Sequence, residues 1–127
     1  MSIETTTSDY LQQCRIALGT EQARSLAETN NWSHVDKEKI HLEWDALYKE
    51  LTPLMQRLPP AAPEIQAIMA RHYDIVSRFY APSKQAYIGM SLFYGENPDM
   101  KDFHNAYHPA MVQFLAEAMP LYAHKQL

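Results

Sequence analysis

The sequence predicts an all-α domain, on three observations. Only 3 of the 127 residues are glycine, and no segment alternates apolar and polar residues with a period of two. Apolar residues instead recur at spacings of three and four, which places them on one face of a helix. The length suits one domain with one hydrophobic core. We therefore expect a single domain over residues 1–127 with six or seven helices, short loops and a flexible segment at residues 1–7.

The first two predicted helices lie between residues 8 and 30. Ser8 is a good N-cap residue and Gly19 is a good C′ residue, so the pattern predicts a first helix between them. Thr20 is placed to cap a second, short helix that ends near Asn30.

A long helix is predicted to begin after Ser33 or Asp36, both of which are suitable N-cap residues. Its apolar face runs from Ile40 to Leu58 at helical spacing. Pro53 lies within this face, and we expect a kink there because proline lacks a backbone N–H donor.

Prolines and capping residues divide the C-terminal half into four predicted helices. Pro63, Ser83, Asn97 and Pro109 mark the four starts, because each is a residue favoured at or next to the first helical turn. Pro120 is expected to bend or fray the end of the last helix. The predicted helices cover residues 63–79, 83–95, 97–107 and 109–122.

Composition and charge exclude several classes of function. The net charge of −4 and the pI of about 5.8 leave no basic face for nucleic acid. Cys14 is the only cysteine, which excludes an internal disulfide and suits a reducing cytosol. The first ten residues lack the basic and apolar regions of a signal peptide, and no apolar run is long enough to cross a bilayer. We expect a cytoplasmic protein with neither a nucleic-acid nor a membrane partner.

Four tyrosines fall at every seventh position, at Tyr73, Tyr80, Tyr87 and Tyr94. Such spacing keeps side chains on one side of a helix, but Pro82 divides the four between two helices. One interpretation makes all four core residues whose hydroxyls reach solvent or a backbone carbonyl. The other interpretation is that some of them line a ligand-binding site. Aromatic side chains are abundant and there are 7 methionines, and both are typical of adaptable apolar binding sites.

The sequence contains no strong pattern for catalysis or for a metal. His104 and His108 have the spacing of a helical zinc pair, but Asn105 occupies the position of a catalytic glutamate and Pro109 separates His108 from the helix. His72 lies on an apolar face, which raises haem ligation as an alternative, although no CxxCH is present. We predict no enzyme activity, no cofactor and no metal site.

Several aromatic-rich segments together resemble the TipAS antibiotic-recognition domain. They cover residues from about 10 to the C-terminus, and their order and spacing carry the resemblance more than any single motif. The segments that carry it read IHLEWDALYKELTPLM, IQAIMARHYDIVSRFY, YIGMSLFYGENPDMKDF and YHPAMVQFLAEAMPLY.

The resemblance implies a globin-like helical arrangement without haem. It also implies a cleft between helices that binds bulky, partly aromatic antibiotics such as thiopeptides or albicidin. Members of this family usually follow a MerR-type DNA-binding domain, which this sequence lacks, and they also occur alone as drug-sequestering proteins. The cysteines of the thiopeptide-binding member are absent near Pro82 and Gly89, so we expect reversible binding.

We therefore predict a monomeric or homodimeric protein that binds and sequesters an antibiotic and thereby confers resistance. The alternatives are a drug-sensing module that acts through a partner protein and a small globin-like haem protein. The predicted ligand contacts are aromatic or sulfur-containing residues and one histidine, placed by the resemblance and by their abundance on the facing helices. They are Trp44, Tyr48, His72, Phe79, Tyr80, Tyr87, Met90, Tyr94, Tyr107 and Met111.

Overall fold

The computed structural model describes residues 8–127 and confirms the predicted all-α class, with six helices in this part of the chain. The prediction of flexibility at residues 1–7 lies outside the described residues. The helices are α1 (Ser8–Glu28), α2 (Lys37–Met55), α3 (Pro63–Val76), α4 (Lys84–Glu96), α5 (Pro98–Asn105) and α6 (Met111–Gln126).

The prediction of two helices before residue 30 is wrong, because α1 continues through Gly19. Gly19 does not adopt the positive φ that a C′ glycine would need, and its position faces open space. The chain leaves α1 through Asn30, Asn31 and Trp32, which have φ values of 53°, 60° and 61°. The change of direction therefore lies after α1, at residues that tolerate the left-handed region less well than glycine.

Side-chain caps define the starts of three helices, as the sequence predicts. Asp36 rather than Ser33 caps α2, since its carboxylate accepts the N–H of Lys39 at 3.1 Å. Ser83 and Asn97 cap α4 and α5 in the same way. Pro63 and Pro98 are the first residues of α3 and α5. Proline is tolerated there because the N–H of a first helical residue makes no bond within the helix.

The predicted end of α3 and both predicted ends of α6 are wrong. α3 ends at Val76, so Phe79 lies in the turn that follows it. α5 ends at Asn105, close to the predicted end near residue 107. α6 begins at Met111 rather than at Pro109, and it ends at Gln126 rather than at residue 122. In the first turn of α6, Asn105 accepts the N–H of Val112 at 3.1 Å.

Prolines also lie within two helices. Pro53 lies inside α2, which continues to Met55, and Pro120 lies inside α6, which continues to Gln126.

No helix of the described residues is both long and apolar enough to span a membrane.

α4 is the central helix, and it packs against α1, α5 and α6. Seven of its residues, all but one of them between Ala86 and Ser91, are buried. Gly89 allows α1 to approach closely, since a Cβ atom at this position would lie 2.2 Å from the carbonyl oxygen of Cys14. The contact between α1 and α4 therefore requires a residue without a side chain.

Gly89→Ala should destabilise the protein by about 1–3 kcal/mol or more, because the added methyl overlaps backbone atoms of α1 and forces the helices apart. The measurement is the free energy of unfolding in urea. Gly95→Ala is the matched control in the same helix, where a Cβ meets nothing within 4 Å and the change should be neutral or stabilising. Equal stability of the two variants would contradict the close contact.

Candidate ligand-binding site

A chain of buried hydrogen bonds connects α4, α3, α2 and α5 in the core. The hydroxyl of Tyr87 lies 2.8 Å from Nδ1 of His72, whose Nε2 lies 3.2 Å from the hydroxyl of Tyr48. The Tyr48 hydroxyl also lies 3.0 Å from Nε2 of His104. The chain ends at the carbonyl of Met100, 2.7 Å from Nδ1 of His104.

The direction of every bond follows from the carbonyl of Met100, which can only accept. His104 must donate its Nδ1–H there, so its Nε2 accepts from the hydroxyl of Tyr48. The Tyr48 oxygen then accepts the Nε2–H of His72. Nδ1 of His72 in turn accepts from the hydroxyl of Tyr87. Both histidines are thereby held neutral, each in one defined tautomer.

Burial sets the protonation state of this chain. It lowers the pKa of His72 to about 3, an effect to which the neighbouring His104 adds, and it lowers the pKa of His104 as well. Burial also raises the pKa values of Tyr48, Tyr87 and Tyr94. All five side chains are therefore uncharged at neutral pH.

The hydrogen-bond chain bears on the metal and haem alternatives. His72 and His104 use both ring nitrogens for hydrogen bonds, so neither has a nitrogen free to ligate iron or zinc. Nδ1 of His108 accepts the N–H of Ala110 at 3.0 Å. Within residues 8–127, no three His, Cys, Asp or Glu side chains are grouped so as to hold a metal ion.

Two apolar cavities adjoin the hydrogen-bond chain. The first has a volume of about 160 Å³ and the second about 150 Å³. Trp44, Tyr94 and Met100 line both, so the two cavities are neighbours separated by these side chains. We call the two together the aromatic cleft. The first cavity is also lined by Gln22, Trp32, Val76, Phe79, Tyr80, Met90 and Phe93, and the second by His41, Tyr48, Phe103 and His104.

Three aromatic rings in contact with one another form one wall of the first cavity. Phe79 lies parallel to Trp44, with ring centroids 5.9 Å apart and an interplanar angle of 10°. Trp32 meets Phe79 edge-on at 5.0 Å, and its indole N–H donates to Ser25 at 2.8 Å. The left-handed turn after α1 therefore places the ring of Trp32 in the wall of the cleft.

Two polar atoms of the cleft residues have no hydrogen-bond partner within residues 8–127. These are the indole Nε1 of Trp44 and the hydroxyl of Tyr80, and both atoms are buried. Burial raises the pKa of Tyr80 to about 12, with a smaller contribution from Glu21, so the hydroxyl remains protonated. The cleft therefore carries two unused hydrogen-bond donors.

The structure places the ten predicted contact residues in two groups. Six line the aromatic cleft: Trp44, Tyr48, Phe79, Tyr80, Met90 and Tyr94. The other four line neither cavity. His72 and Tyr87 belong to the hydrogen-bond chain, Met111 is fully buried in the core, and Tyr107 donates to Asp45 at 2.7 Å.

The tyrosine series divides in the same way. Tyr80 and Tyr94 line the cleft, Tyr87 is a core residue, and Tyr73 donates its hydroxyl to the carbonyl of Pro82 at 2.5 Å. The core interpretation is confirmed for Tyr87, and a role in ligand binding stays a prediction for Tyr80 and Tyr94.

Sequence reasoning missed several cleft residues. Met100, Phe103 and His104 lie at helical spacing on α5, a pattern that could have identified this helix as a wall of the cleft. The sequence singles out His104 only through the spacing of a zinc pair, whereas the structure shows it buried and hydrogen-bonded to Tyr48. No sequence pattern indicates that Trp32 lines the cleft, because its position depends on the left-handed turn after α1.

The all-helical fold and the apolar cleft define a small ligand-binding domain, and comparison with known proteins identifies its family. The chain belongs to the TipAS antibiotic-recognition domain family, which matches residues 10–122 and thereby confirms the resemblance and the globin-like helical fold.

A curated relative is the HTH-type transcriptional regulator SkgA of Caulobacter vibrioides, found in two strains. It is 30% identical to this chain over 116 residues, which cover 83% of the chain and 44% of the relative. The chain thus spans less than half the length of these relatives. No solved structure matches the chain.

The buried histidines predict a loss of stability in mild acid. The folded-state pKa of His72 is about 3 whereas an unfolded histidine titrates near 6.5, so between these values only the unfolded chain takes up the proton. The contribution of His72 to the free energy of unfolding is fully present above about pH 6.5. Below that pH it decreases by about 1.4 kcal/mol per pH unit for one such group. His104 adds a change of the same sign.

The measurement is the free energy of unfolding in urea between pH 7 and pH 5, a range in which ordinary carboxylates stay ionised. His41→Gln is the control, because His41 is exposed and outside the hydrogen-bond chain, and its variant should keep the same slope. Unchanged stability between pH 7 and pH 5 would contradict the buried, neutral histidines.

Proposed function

We propose that this protein binds a bulky antibiotic with planar aryl or thiazole groups in the aromatic cleft, reversibly and in the cytoplasm, and confers resistance by sequestering it. The observation that carries the proposal is the pair of adjoining apolar cavities walled by tryptophan, phenylalanine, tyrosine and methionine. Aromatic walls stack on planar rings, and methionine side chains adapt to irregular shapes.

The size of the cavities indicates how such a ligand would sit. Each has about 150–160 Å³, whereas pockets for drug-sized ligands have roughly 300–1,000 Å³. One cavity therefore accepts a ring or two, and a larger ligand would occupy both cavities and extend onto the surface. Movement of Met100, which lines both cavities, would join them.

Binding is proposed to be noncovalent because the only cysteine, Cys14, is buried and lines neither cavity. Cys14 is fully buried between α1 and α4 and lines neither cavity. Burial raises the pKa of its thiol, which disfavours the nucleophilic thiolate. Capture of an antibiotic by thiolate addition is thus not part of the proposed function.

A second candidate function is drug sensing, in which the bound antibiotic changes an interaction with a DNA-binding protein or domain. The similarity to the regulator SkgA favours this candidate. Both functions require antibiotic binding, but sensing also requires a partner that is retained only with the drug. A pull-down with and without antibiotic distinguishes the two.

Sequestration predicts one bound drug molecule per protein and no chemical change of the drug. Titration of a thiopeptide or an albicidin-type aryl amide, followed by quenching of tryptophan fluorescence, measures the stoichiometry, because Trp32 and Trp44 both line the cleft. Mass spectrometry of the drug after incubation with substoichiometric protein checks its identity. Recovery of altered drug would show that the protein is an enzyme and would overturn the proposal.

Phe79→Ala should weaken binding by about 2 kcal/mol, or about thirtyfold, because it removes the ring stacked on Trp44 in the cleft wall. The measurement is the Kd of the same antibiotic by calorimetry.

Tyr87→Phe is the matched control. It leaves a buried acceptor on His72 unpaired and should lower the free energy of unfolding by about 1–3 kcal/mol. Its folded form should bind the drug within twofold of the parent, since Tyr87 lines neither cavity. Wild-type affinity in the Phe79→Ala variant would place the drug outside the cleft.

A further inference from the structure

We propose that Trp44 and Tyr80 determine ligand specificity by donating hydrogen bonds to a carbonyl oxygen conjugated with a planar aromatic ring. This inference rests on the proposed binding function and names the chemical group that the cleft selects. The observation behind it is that the indole Nε1 of Trp44 and the hydroxyl of Tyr80 are buried without a partner in residues 8–127.

Comparable side chains of this protein have partners. The indole N–H of Trp32 donates to Ser25 at 2.8 Å, and the hydroxyl of Tyr73 donates to Pro82 at 2.5 Å. Every hydroxyl and ring nitrogen of the Tyr87–His72–Tyr48–His104 chain is also engaged. Unpaired buried polar atoms are rare in folded proteins and call for an explanation such as a ligand. Here both belong to side chains that line the first cavity.

Trp44 requires an acceptor, and an acceptor is also the partner that the proton of the Tyr80 hydroxyl lacks within residues 8–127. An indole N–H donates only, and the raised pKa of Tyr80, about 12, keeps its hydroxyl proton in place. Both atoms are shielded from solvent, so bulk water does not satisfy them in the free protein. A ligand that displaces the neighbouring side chains and brings an oxygen to these donors gains bonds without breaking any that the protein already makes.

The surroundings of the donors favour an acceptor attached to an aromatic ring. Trp44 lies parallel to Phe79, and its N–H lies in the plane of the indole ring at the edge of this stack. Val76, Phe79 and Met90 supply apolar contacts in the same cavity, where a charged group would be poorly solvated. A neutral aryl amide meets both requirements, because its oxygen lies close to the plane of its ring.

Tyr80→Phe is the first test, because the variant loses only the hydroxyl. The probes are benzanilide, a neutral diaryl amide, and N-benzylaniline, which has the same two rings without the carbonyl. In the free variant the melting temperature should be unchanged or higher, since an unpaired polar group has been removed. The Kd for benzanilide should rise about three- to tenfold, and the Kd for N-benzylaniline should stay within twofold.

Tyr73→Phe is the matched control. Its hydroxyl has a partner, and its side chain lines neither cavity. This variant should lose thermal stability and keep the parental Kd for benzanilide. A lower melting temperature in Tyr80→Phe, or an unchanged Kd for benzanilide, would overturn the proposal.

Tryptophan resonances test the second donor. The two indole N–H signals in a ¹H–¹⁵N spectrum belong to Trp32, which has a partner, and Trp44, which has none. Benzanilide should move the Trp44 indole proton downfield relative to N-benzylaniline, with no such difference at Trp32. Equal shifts at Trp44 with both probes would contradict its role as a donor.

The two probes also separate this inference from the function proposed above. Equal binding of benzanilide and N-benzylaniline to the parent protein would leave the aromatic cleft as a binding site and overturn the role of the two donors. Binding of neither probe, together with no binding of thiopeptides or albicidin-type amides, would overturn both proposals.

Discussion

The buried hydrogen-bond chain from Tyr87 to the carbonyl of Met100 is the constraint on which the rest of the structure depends. It joins four helices through two buried histidines, so each polar atom requires its partner. Because an unpaired member would cost about 1–3 kcal/mol, the chain disfavours any other register of these helices. The close contact of Gly89 with Cys14 then positions α1 against the same central helix.

The hydrogen-bond chain also explains why the cleft beside it is apolar. Tyr48 and His104 line the second cavity, but their polar atoms are already used in the core. Tyr94 stacks on His104 with ring centroids 4.1 Å apart, so this side of the cleft is built from rings rather than from free donors. By contrast, the donors of Trp44 and Tyr80 have no partner within residues 8–127. In the proposed function, the aromatic rings supply affinity for planar groups, and the two donors select among such groups.

Local signals in the sequence predicted most of the fold. Asp36, Ser83 and Asn97 cap helices as predicted, because a cap depends on a few neighbouring residues. Gly19 misled the prediction, since glycine is favoured after a helix but tolerated inside one. The site was harder to predict, because helical spacing identifies an inward face without indicating what fills it. Phe79 and Met111 look equivalent in the sequence, yet one lines a cavity and the other is fully buried.

The central claim is that a planar aromatic antibiotic binds in the aromatic cleft, and methionine methyl groups report on it most directly. Met90 and Met100 line the cleft, whereas Met69, Met111 and Met119 are fully buried in the core. In a ¹³C-methyl spectrum, addition of a thiopeptide or an albicidin-type amide should shift the signals of Met90 and Met100 and leave those of Met69 and Met119 in place. Shifts confined to other methionines, with Met90 and Met100 unchanged, would contradict the account.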